Sequence, residues 1–241
     1  MTCAWSPDDE LLAWGGLDNA CTIAESSNPT ARRELRGHEG YVSCTRFLAD
    51  GNVITSSGDG TCVLWDIRRS VAVSRFTDHD ADVLGVAPCP LSTATFASCS
   101  TDETARVWDA RDPRKATHVF GGHDGDVNSV QYMPSGRTIV TAGEDGSLRM
   151  WDLRSYARLN EMASPAIPSS AATLAISASG RLVFAGHDDC KVHGWDALDD
   201  TASTPAYTLS GHTYRVSAAA ISPDGRALCS GSWDRNLMVW A

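Results

Sequence analysis

Short runs of alternating apolar and polar residues recur along the chain, separated by clusters of Gly, Asp, Asn and Ser. In one representative stretch the alternation predicts three strands, over Val42–Phe47, Asn52–Ser56 and Thr61–Trp65. A period of two is typical of half-buried strands, and the polar clusters favour tight turns between them. The pattern therefore predicts an all-β chain made of consecutive hairpins.

These hairpins belong to an internal repeat that is marked by tryptophan. Tryptophan recurs at spacings of 43, 43, 44 and 45 residues, and all but the last are followed by aspartate. The five positions are Trp65, Trp108, Trp151, Trp195 and Trp240. A repeat of about 40 to 45 residues that holds three or four short strands predicts the blades of a β-propeller.

An aspartate stands six residues before each tryptophan, in a turn between two predicted strands: Asp59, Asp102, Asp145, Asp189 and Asp234. A hydroxyl residue stands four residues before each aspartate, except before Asp189, where Ala185 occupies the position. A histidine preceded by Gly or Asp lies upstream in four of the five units. The unit with Asp189 lacks this histidine as well.

These spacings resemble those of WD-repeat proteins, in which aspartate, histidine, hydroxyl and tryptophan form a buried hydrogen-bonded network. The resemblance implies four such networks in this chain. Their members are His38, Thr55, Asp59, Trp65; His79, Ser98, Asp102, Trp108; His123, Thr141, Asp145, Trp151; and His212, Ser230, Asp234, Trp240. A closed network rigidifies a blade, whereas unpaired buried polar groups are costly. We therefore expect the blade that contains Asp189 to be the weakest.

Charge and cysteine content narrow the class of partner and the location. Thirty acidic and twenty basic residues give a net charge of −10, which disfavours nucleic acid as a partner. The eight cysteines include no CxxC pair, and the N-terminus lacks the pattern of a signal peptide. We expect reduced cysteines with packing roles and a cytoplasmic location.

Two chemical interpretations compete with the structural one. A Ser or Thr, a His and an Asp are the residue types of a nucleophilic triad, but a catalytic site is needed once and this set recurs in four blades. The segment from His187 to His193 contains residue types that bind zinc. The repeat already explains it as a blade turn with a turn histidine, His187, and a strand histidine, His193. We predict no catalytic residue, no metal site and no cofactor.

Several segments match one group of WD-repeat proteins beyond the shared repeat, with the blocks around Leu17 and Trp233 as the most specific. The segments are Met1–Pro7, Gly15–Cys21, Arg33–His38, Gly40–Cys44, Thr55–Asp59, Gly180–Leu182, Trp195–Leu198, Gly211–His212, Arg215–Ser217 and Gly231–Asp234. They resemble the β subunit of heterotrimeric G proteins. The likeness runs from one end of the chain to the other with few insertions.

The resemblance implies a non-catalytic transducer in G protein-coupled receptor signalling, whose loop face binds a GTPase α subunit in its GDP state and, after release, effectors. The implied binding residues are Leu17, Tyr41, Asp82, Leu84, Asp126, Asn128, Glu144, Asp188, Arg215 and Trp233. Leu84 stands where the family usually has methionine, and Glu144 where it usually has aspartate. Aromatic anchors beside charged residues are typical of a binding hot spot.

The resemblance also implies features that this sequence does not contain. The family has seven blades and an N-terminal helix that forms a coiled coil with a γ subunit, whereas six blades are counted here. We expect one domain over residues 1–241, with blades at approximately 1–36, 37–77, 78–121, 122–162, 163–210 and 211–241. In the first, Ala24 replaces tryptophan, and the last ends at Trp240-Ala241 without an outer strand. These differences predict a truncated or divergent short form, an incomplete ring and no stable complex with γ.

In the heterotrimer, the family lies at the inner face of the plasma membrane, and the resemblance implies that this chain would reach it only through lipidated partners. The alternative function is a general WD-repeat scaffold of the receptor-for-activated-kinase or ribosome-associated type. Such scaffolds usually have a basic face, which the net charge of −10 disfavours. An enzyme is a third hypothesis, for which the sequence contains no motif.

Overall fold

The computed structural model describes residues 2–199 and 203–241. Met1, the first residue of one resembling segment, lies outside the described residues. The described part of the chain contains strands and turns without helices, and its strands form six separate antiparallel sheets, which we number as blades 1 to 6. In every blade, strands that follow one another in the sequence are hydrogen-bonded neighbours. The all-β prediction is confirmed.

The chain divides into two compact units, Met1–Gly121 and Gly122–Ala241. The first unit contains blades 1 to 3, each with four strands. Blade 1 consists of β1 (Thr2–Trp5), β2 (Leu11–Gly15), β3 (Ala20–Glu25) and β4 (Asn28–Arg36). Blade 2 consists of β5 (Val42–Phe47), β6 (Val53–Ser57), β7 (Cys62–Asp66) and β8 (Val71–Phe76). Blade 3 consists of β9 (Val83–Pro88), β10 (Thr95–Ser100), β11 (Thr104–Asp109) and β12 (His118–Gly121).

The second unit contains blades 4 to 6, of which the last has three strands. Blade 4 consists of β13 (Val127–Tyr132), β14 (Thr138–Gly143), β15 (Leu148–Asp152) and β16 (Ala157–Met162). Blade 5 consists of β17 (Ala171–Ile176), β18 (Leu182–His187), β19 (Lys191–Asp196) and β20 (Tyr207–Ser210). Blade 6 consists of β21 (Val216–Ile221), β22 (Leu228–Ser232) and β23 (Leu237–Trp240).

The strands predicted from the alternation lie within one residue of the observed ones. The first is β5 as predicted, and the other two, β6 and β7, begin and end one residue later. Asn52 belongs to the preceding turn, because its amide nitrogen donates to Asp50 Oδ1 at 3.0 Å. The single-domain organisation stays a prediction.

Each unit is held together by apolar side chains that pack between neighbouring blades. In the first unit, Phe76 of blade 2 packs against Phe96 and Trp108 of blade 3, with ring centroids 4.8 and 5.4 Å apart. In the second unit, Leu148 of blade 4 and Trp195 of blade 5 belong to one buried cluster. Burial of such surface is the main favourable term in folding, so a blade is stabilised chiefly by its neighbours.

Cysteines contribute to these clusters as small apolar residues. Cys21 and Cys62 are fully buried, as the packing role requires. Burial raises the pKa of Cys21 to about 12 and also raises the pKa of Cys62. Both residues are therefore thiols rather than thiolates near neutral pH.

Among the described residues, no helix has the length and apolar character that crossing a membrane requires.

Candidate functional site

In blade 2, the structure brings the four predicted network side chains together around the hydroxyl of Thr55. The Nε1 of Trp65 donates to Thr55 Oγ1 at 2.8 Å, and His38 Nε2 lies 2.7 Å from the same oxygen. The other ring nitrogen, His38 Nδ1, lies 2.9 Å from Asp59 Oδ2. Thr55 and Trp65 are fully buried, and His38 is nearly so. The network thus connects a turn to the third strand through the interior of one blade.

The same arrangement recurs in blades 3, 4 and 6. The tryptophan Nε1 lies 2.8 Å from Ser98 Oγ, 2.9 Å from Thr141 Oγ1 and 2.9 Å from Ser230 Oγ. The histidine Nε2 lies 2.7 Å from the hydroxyl in blades 3 and 4 and 2.8 Å from it in blade 6. The shortest distances from the histidine Nδ1 to the carboxylate are 2.7 Å for Asp102, 3.0 Å for Asp145 and 2.9 Å for Asp234.

The turn that holds the aspartate has one backbone conformation in all six blades. The residue after the aspartate always has a positive φ, between 59° and 78°: Asn19, Gly60, Glu103, Gly146, Cys190 and Arg235. Glycine adopts this conformation without strain, and asparagine tolerates it better than most residues. In blade 2, the turn directs Asp59 toward both His38 and the backbone amide of Glu39, which donates to Asp59 Oδ2 at 2.9 Å.

An arginine extends the network in three blades, a contact that the sequence analysis did not predict. Arg106 Nη2 lies 3.3 Å from Asp102 Oδ2, and Arg149 Nη2 lies 3.2 Å from Asp145 Oδ2. In blade 2, the arginine is Arg75, whose Nη1 lies 3.6 Å from Asp59 Oδ2. Arg106 and Arg149 stand two residues before the tryptophan, so this spacing could have predicted their contact with the aspartate. Arg75 instead comes from the fourth strand.

The turn carboxylates are held in the ionised state. Burial alone would raise the pKa of Asp59, but hydrogen bonds from His38, Thr61 and the Glu39 amide lower it well below the ordinary value. The same balance lowers the pKa of Asp102 and Asp145. In blade 6, burial is outweighed by the Thr213 amide and His212, which lower the pKa of Asp234 to about 2.

Blade 5 departs from this arrangement, and His187 differs from its prediction. The prediction of a turn histidine is wrong, because His187 is the last residue of β18 and is fully buried, with Nδ1 donating to the Ser169 carbonyl at 3.0 Å. His193 contacts the turn aspartate instead, and its Nε2 lies 2.9 Å from Asp189 Oδ2. Because Ala185 provides no hydroxyl, Trp195 Nε1 and His187 Nε2 have no hydrogen-bond partner among the described residues.

The remaining chemistry of these residues is limited by burial. The hydroxyls of Thr55, Ser98, Thr141 and Ser230 are fully buried, and tryptophan donates to each of them. A substrate therefore has no access to them as nucleophiles in this structure. Within residues 2–199 and 203–241, no group of three or more His, Cys, Asp or Glu side chains is arranged to hold a metal ion.

The ten residues implied as a binding surface lie at corresponding ends of their blades. In the first unit, exposed Leu17 lies in the turn between β2 and β3, Tyr41 and Asp82 directly precede β5 and β9, and Leu84 is the second residue of β9. The turn between the second and third strands lies at the same end of a blade as the residue before the first strand. In blade 2, the amide of Gly58, which follows β6, donates to the Tyr41 carbonyl at 3.0 Å. Tyr41 and Asp82 are joined directly, by a hydrogen bond of 2.8 Å from the hydroxyl to the carboxylate.

The second unit repeats this placement. Asp126 directly precedes β13, Asn128 is the second residue of β13, and Glu144 follows β14 with its amide donating to the Asp126 carbonyl at 2.8 Å. Asn128 donates to Ser170 Oγ at 3.1 Å and is therefore tied to blade 5. Glu144 is exposed to solvent.

Three of the implied residues meet in a cleft between blades 5 and 6. The cleft is lined by Asp188, Cys190, Thr213, Tyr214, Arg215 and Trp233. Trp233 is 59% exposed, and the guanidinium carbon of Arg215 lies 3.5 Å from the centroid of its ring. Tyr214 is a residue that the sequence analysis missed, because the matching segments stop at His212 and resume at Arg215.

The profile of the G protein beta WD-40 repeat protein family matches residues 1–241. The chain belongs to this family. Among curated relatives, the guanine nucleotide-binding protein subunit beta of Solanum tuberosum is 40% identical over 260 residues, and that of Arabidopsis thaliana is 39% identical over 261 residues. Each match covers 100% of this chain and 69% of the relative.

Family membership and the six antiparallel sheets confirm the predicted class, a six-bladed WD40 β-propeller. The resemblance to the G protein β subunit is confirmed as well. The chain is a signalling subunit of the WD40 type.

The substitution Asp59→Ala tests the structural role of the network. It strands His38 and the Glu39 amide in a partly buried turn, so we expect the free energy of unfolding to fall by about 1 to 3 kcal/mol. Denaturant titration followed by tryptophan fluorescence measures the change. A variant with wild-type stability would contradict the role assigned to the network.

The lowered pKa of the turn carboxylate predicts a pH dependence. A group whose pKa is lower in the folded state stabilises the fold above its unfolded pKa, near 3.8, and this contribution is lost as the pH falls toward the folded value. The stability difference between wild type and Asp59→Asn should therefore be constant from pH 7 to about pH 5 and shrink below about pH 4. Urea titrations across this range measure it, and a difference that is equally large at pH 3 and pH 7 would exclude the ionised carboxylate as its source.

The alanine of blade 5 provides a test in the opposite direction. Ala185→Ser places a hydroxyl at the position that Thr55 has in blade 2, within reach of the unpaired Trp195 Nε1, so we expect a gain of about 1 kcal/mol in unfolding free energy. The matched control is Ala142→Ser, since Ala142 is also fully buried. Its surroundings are apolar, so the new serine hydroxyl would find no unpaired donor there. The control should lose stability. Equal losses in both variants would show that Trp195 does not take up the new hydroxyl.

Proposed function

We propose that this chain is a non-catalytic signalling subunit that binds a GTPase α subunit in its GDP state and, after release, effectors. The proposal rests on one observation above all: the ten residues that the family resemblance implies for this role lie at corresponding ends of their blades. Two of the large apolar side chains among them, Leu17 and Trp233, are 76% and 59% exposed. Exposed residues of this size are expected at a protein interface.

Charge distribution supports a specific interface rather than a general adhesive surface. Asp82, Asp126, Glu144 and Asp188 provide carboxylates at these ends, while Arg215 provides a guanidinium. Carboxylates steer a basic partner toward the surface and disfavour an acidic one. Tyr41 and Trp233 are of the residue types that dominate binding energy in hot spots.

The positions of the reactive residue types support the non-catalytic part of the proposal. The histidines and hydroxyls that would belong to a triad are buried inside the blades, and each histidine contacts its hydroxyl and its turn aspartate. We propose that the chain acts through its surface alone, and that its location at the membrane depends on lipidated partners.

The variant Trp233→Ala tests the α-binding surface. We expect the affinity for a purified GDP-loaded G protein α subunit to fall by about 2 kcal/mol, since an exposed tryptophan in a hot spot contributes most of its energy through contact with the partner. Calorimetry or surface plasmon resonance measures the affinity, and thermal melting monitors the fold. Exchange of GDP for a non-hydrolysable GTP analogue should abolish binding by the wild-type chain.

The matched control is Trp5→Ala. Trp5 is 57% exposed, nearly as much as Trp233, but it lies at the other end of its blade, next to the turn between β1 and β2. This variant should bind the α subunit like the wild type. Equal affinities of the Trp233 and Trp5 variants, with both proteins folded, would remove Trp233 from the interface.

A further inference from the structure

Tyr214 lies beside Trp233 in a geometry that the repeat does not require. Its ring is 6.4 Å from the Trp233 ring, and the two planes are nearly parallel at 7°. Tyr214 is 56% exposed. Two hydrogen bonds hold the backbone of this pair, from Trp233 N to the Arg215 carbonyl at 3.2 Å and from Ser232 Oγ to the Tyr214 carbonyl at 2.8 Å. Both bonds use backbone carbonyls, so they do not depend on the tyrosine side chain.

Arg215 completes an ordered surface at this point. Its guanidinium lies 3.5 Å from the centroid of the Trp233 ring, a cation–π contact that restrains both side chains. Among the described residues, no carboxylate forms a salt bridge with Arg215. Its N–H groups are thus available to an acceptor on a partner, at the edge of two aromatic faces. Asp188 lines the same cleft from blade 5.

We propose that Tyr214 is a further binding residue for the α subunit, in addition to the ten implied by the family. The rings of Tyr214 and Trp233 provide adjacent flat surfaces for an aliphatic side chain of the partner, and Arg215 binds a carboxylate next to it. This inference rests on the proposed function. A rigid aromatic pair loses little conformational freedom on binding, which favours it as an anchor over a flexible side chain.

A purely structural role for the Tyr214 ring has little support. More than half of its surface is exposed, and its hydroxyl forms no hydrogen bond within the described residues. Removal of the ring therefore strands no buried polar group and opens no cavity, the usual causes of large losses in stability.

The test compares Tyr214→Ala with Tyr214→Phe and with a control tyrosine. Tyr156 is 55% exposed and lies in the turn between β15 and β16, at the other end of blade 4. The affinity of the full chain for GDP-loaded α subunit should fall about three- to tenfold in Tyr214→Ala, as expected for one aromatic contact. Tyr214→Phe should bind nearly like the wild type, because it keeps the ring, and Tyr156→Ala should be unchanged. Both Tyr214 variants should keep the wild-type Tm.

A double variant, Tyr214→Ala with Trp233→Ala, adds a second readout. Because the two rings stack, the combined loss should be smaller than the product of the single losses. Normal affinity of Tyr214→Ala, together with weakened Trp233→Ala, would overturn the inference and leave the proposed function intact. A loss of affinity that is matched by a lower Tm would also overturn it. If the wild-type chain binds no α subunit, the proposed function fails, and the inference fails with it.

Discussion

The buried hydroxyl that accepts a hydrogen bond from tryptophan is the interaction on which each regular blade depends. In blade 2, Thr55 Oγ1 contacts both Trp65 Nε1 and His38 Nε2, so one oxygen links the second strand, the third strand and the segment before the first strand. Tryptophan is large enough to fill the blade interior but carries an N–H that requires a partner when it is buried. The hydroxyl satisfies this requirement, and the histidine connects the hydroxyl to the turn aspartate through its two ring nitrogens.

Blade 5 shows which contacts of the tryptophan a blade can lose while its strand order stays the same. Without the hydroxyl, Trp195 remains fully buried and β17 to β20 keep the same antiparallel order. The apolar contacts of the ring are therefore sufficient to keep it in place. The turn aspartate contacts a histidine within β19 instead. A carboxylate–imidazole contact is therefore kept, although the histidine comes from a different position in the chain. Packing thus determines the position of the ring, and the polar network adds rigidity.

Much of the fold followed from spacing alone, since strands and turns depend on residues that are close in the sequence. The six-residue interval between Asp59 and Trp65 spans one hairpin, and this local geometry makes the pattern interpretable without a structure. The contacts of His193 and Tyr214 were not predictable in this way. Both depend on how one side chain is oriented within its folded blade, and neither residue type recurs at that position in the other units. Transfer by family position also passed over Tyr214, because it lies between two matching segments.

The positive φ after each turn aspartate has a consequence for how the repeat diversifies. Gly, Asn, Glu, Cys and Arg all occupy this position, so the feature common to the six copies is a backbone angle rather than a side chain. β-branched residues are absent from the set, in agreement with their high cost in this conformation. Chemical identity at the turn is otherwise free to change from blade to blade. Each copy of the repeat can thus carry a different residue at this turn while the backbone angle stays the same, which lets one repeated scaffold carry a non-repeating surface.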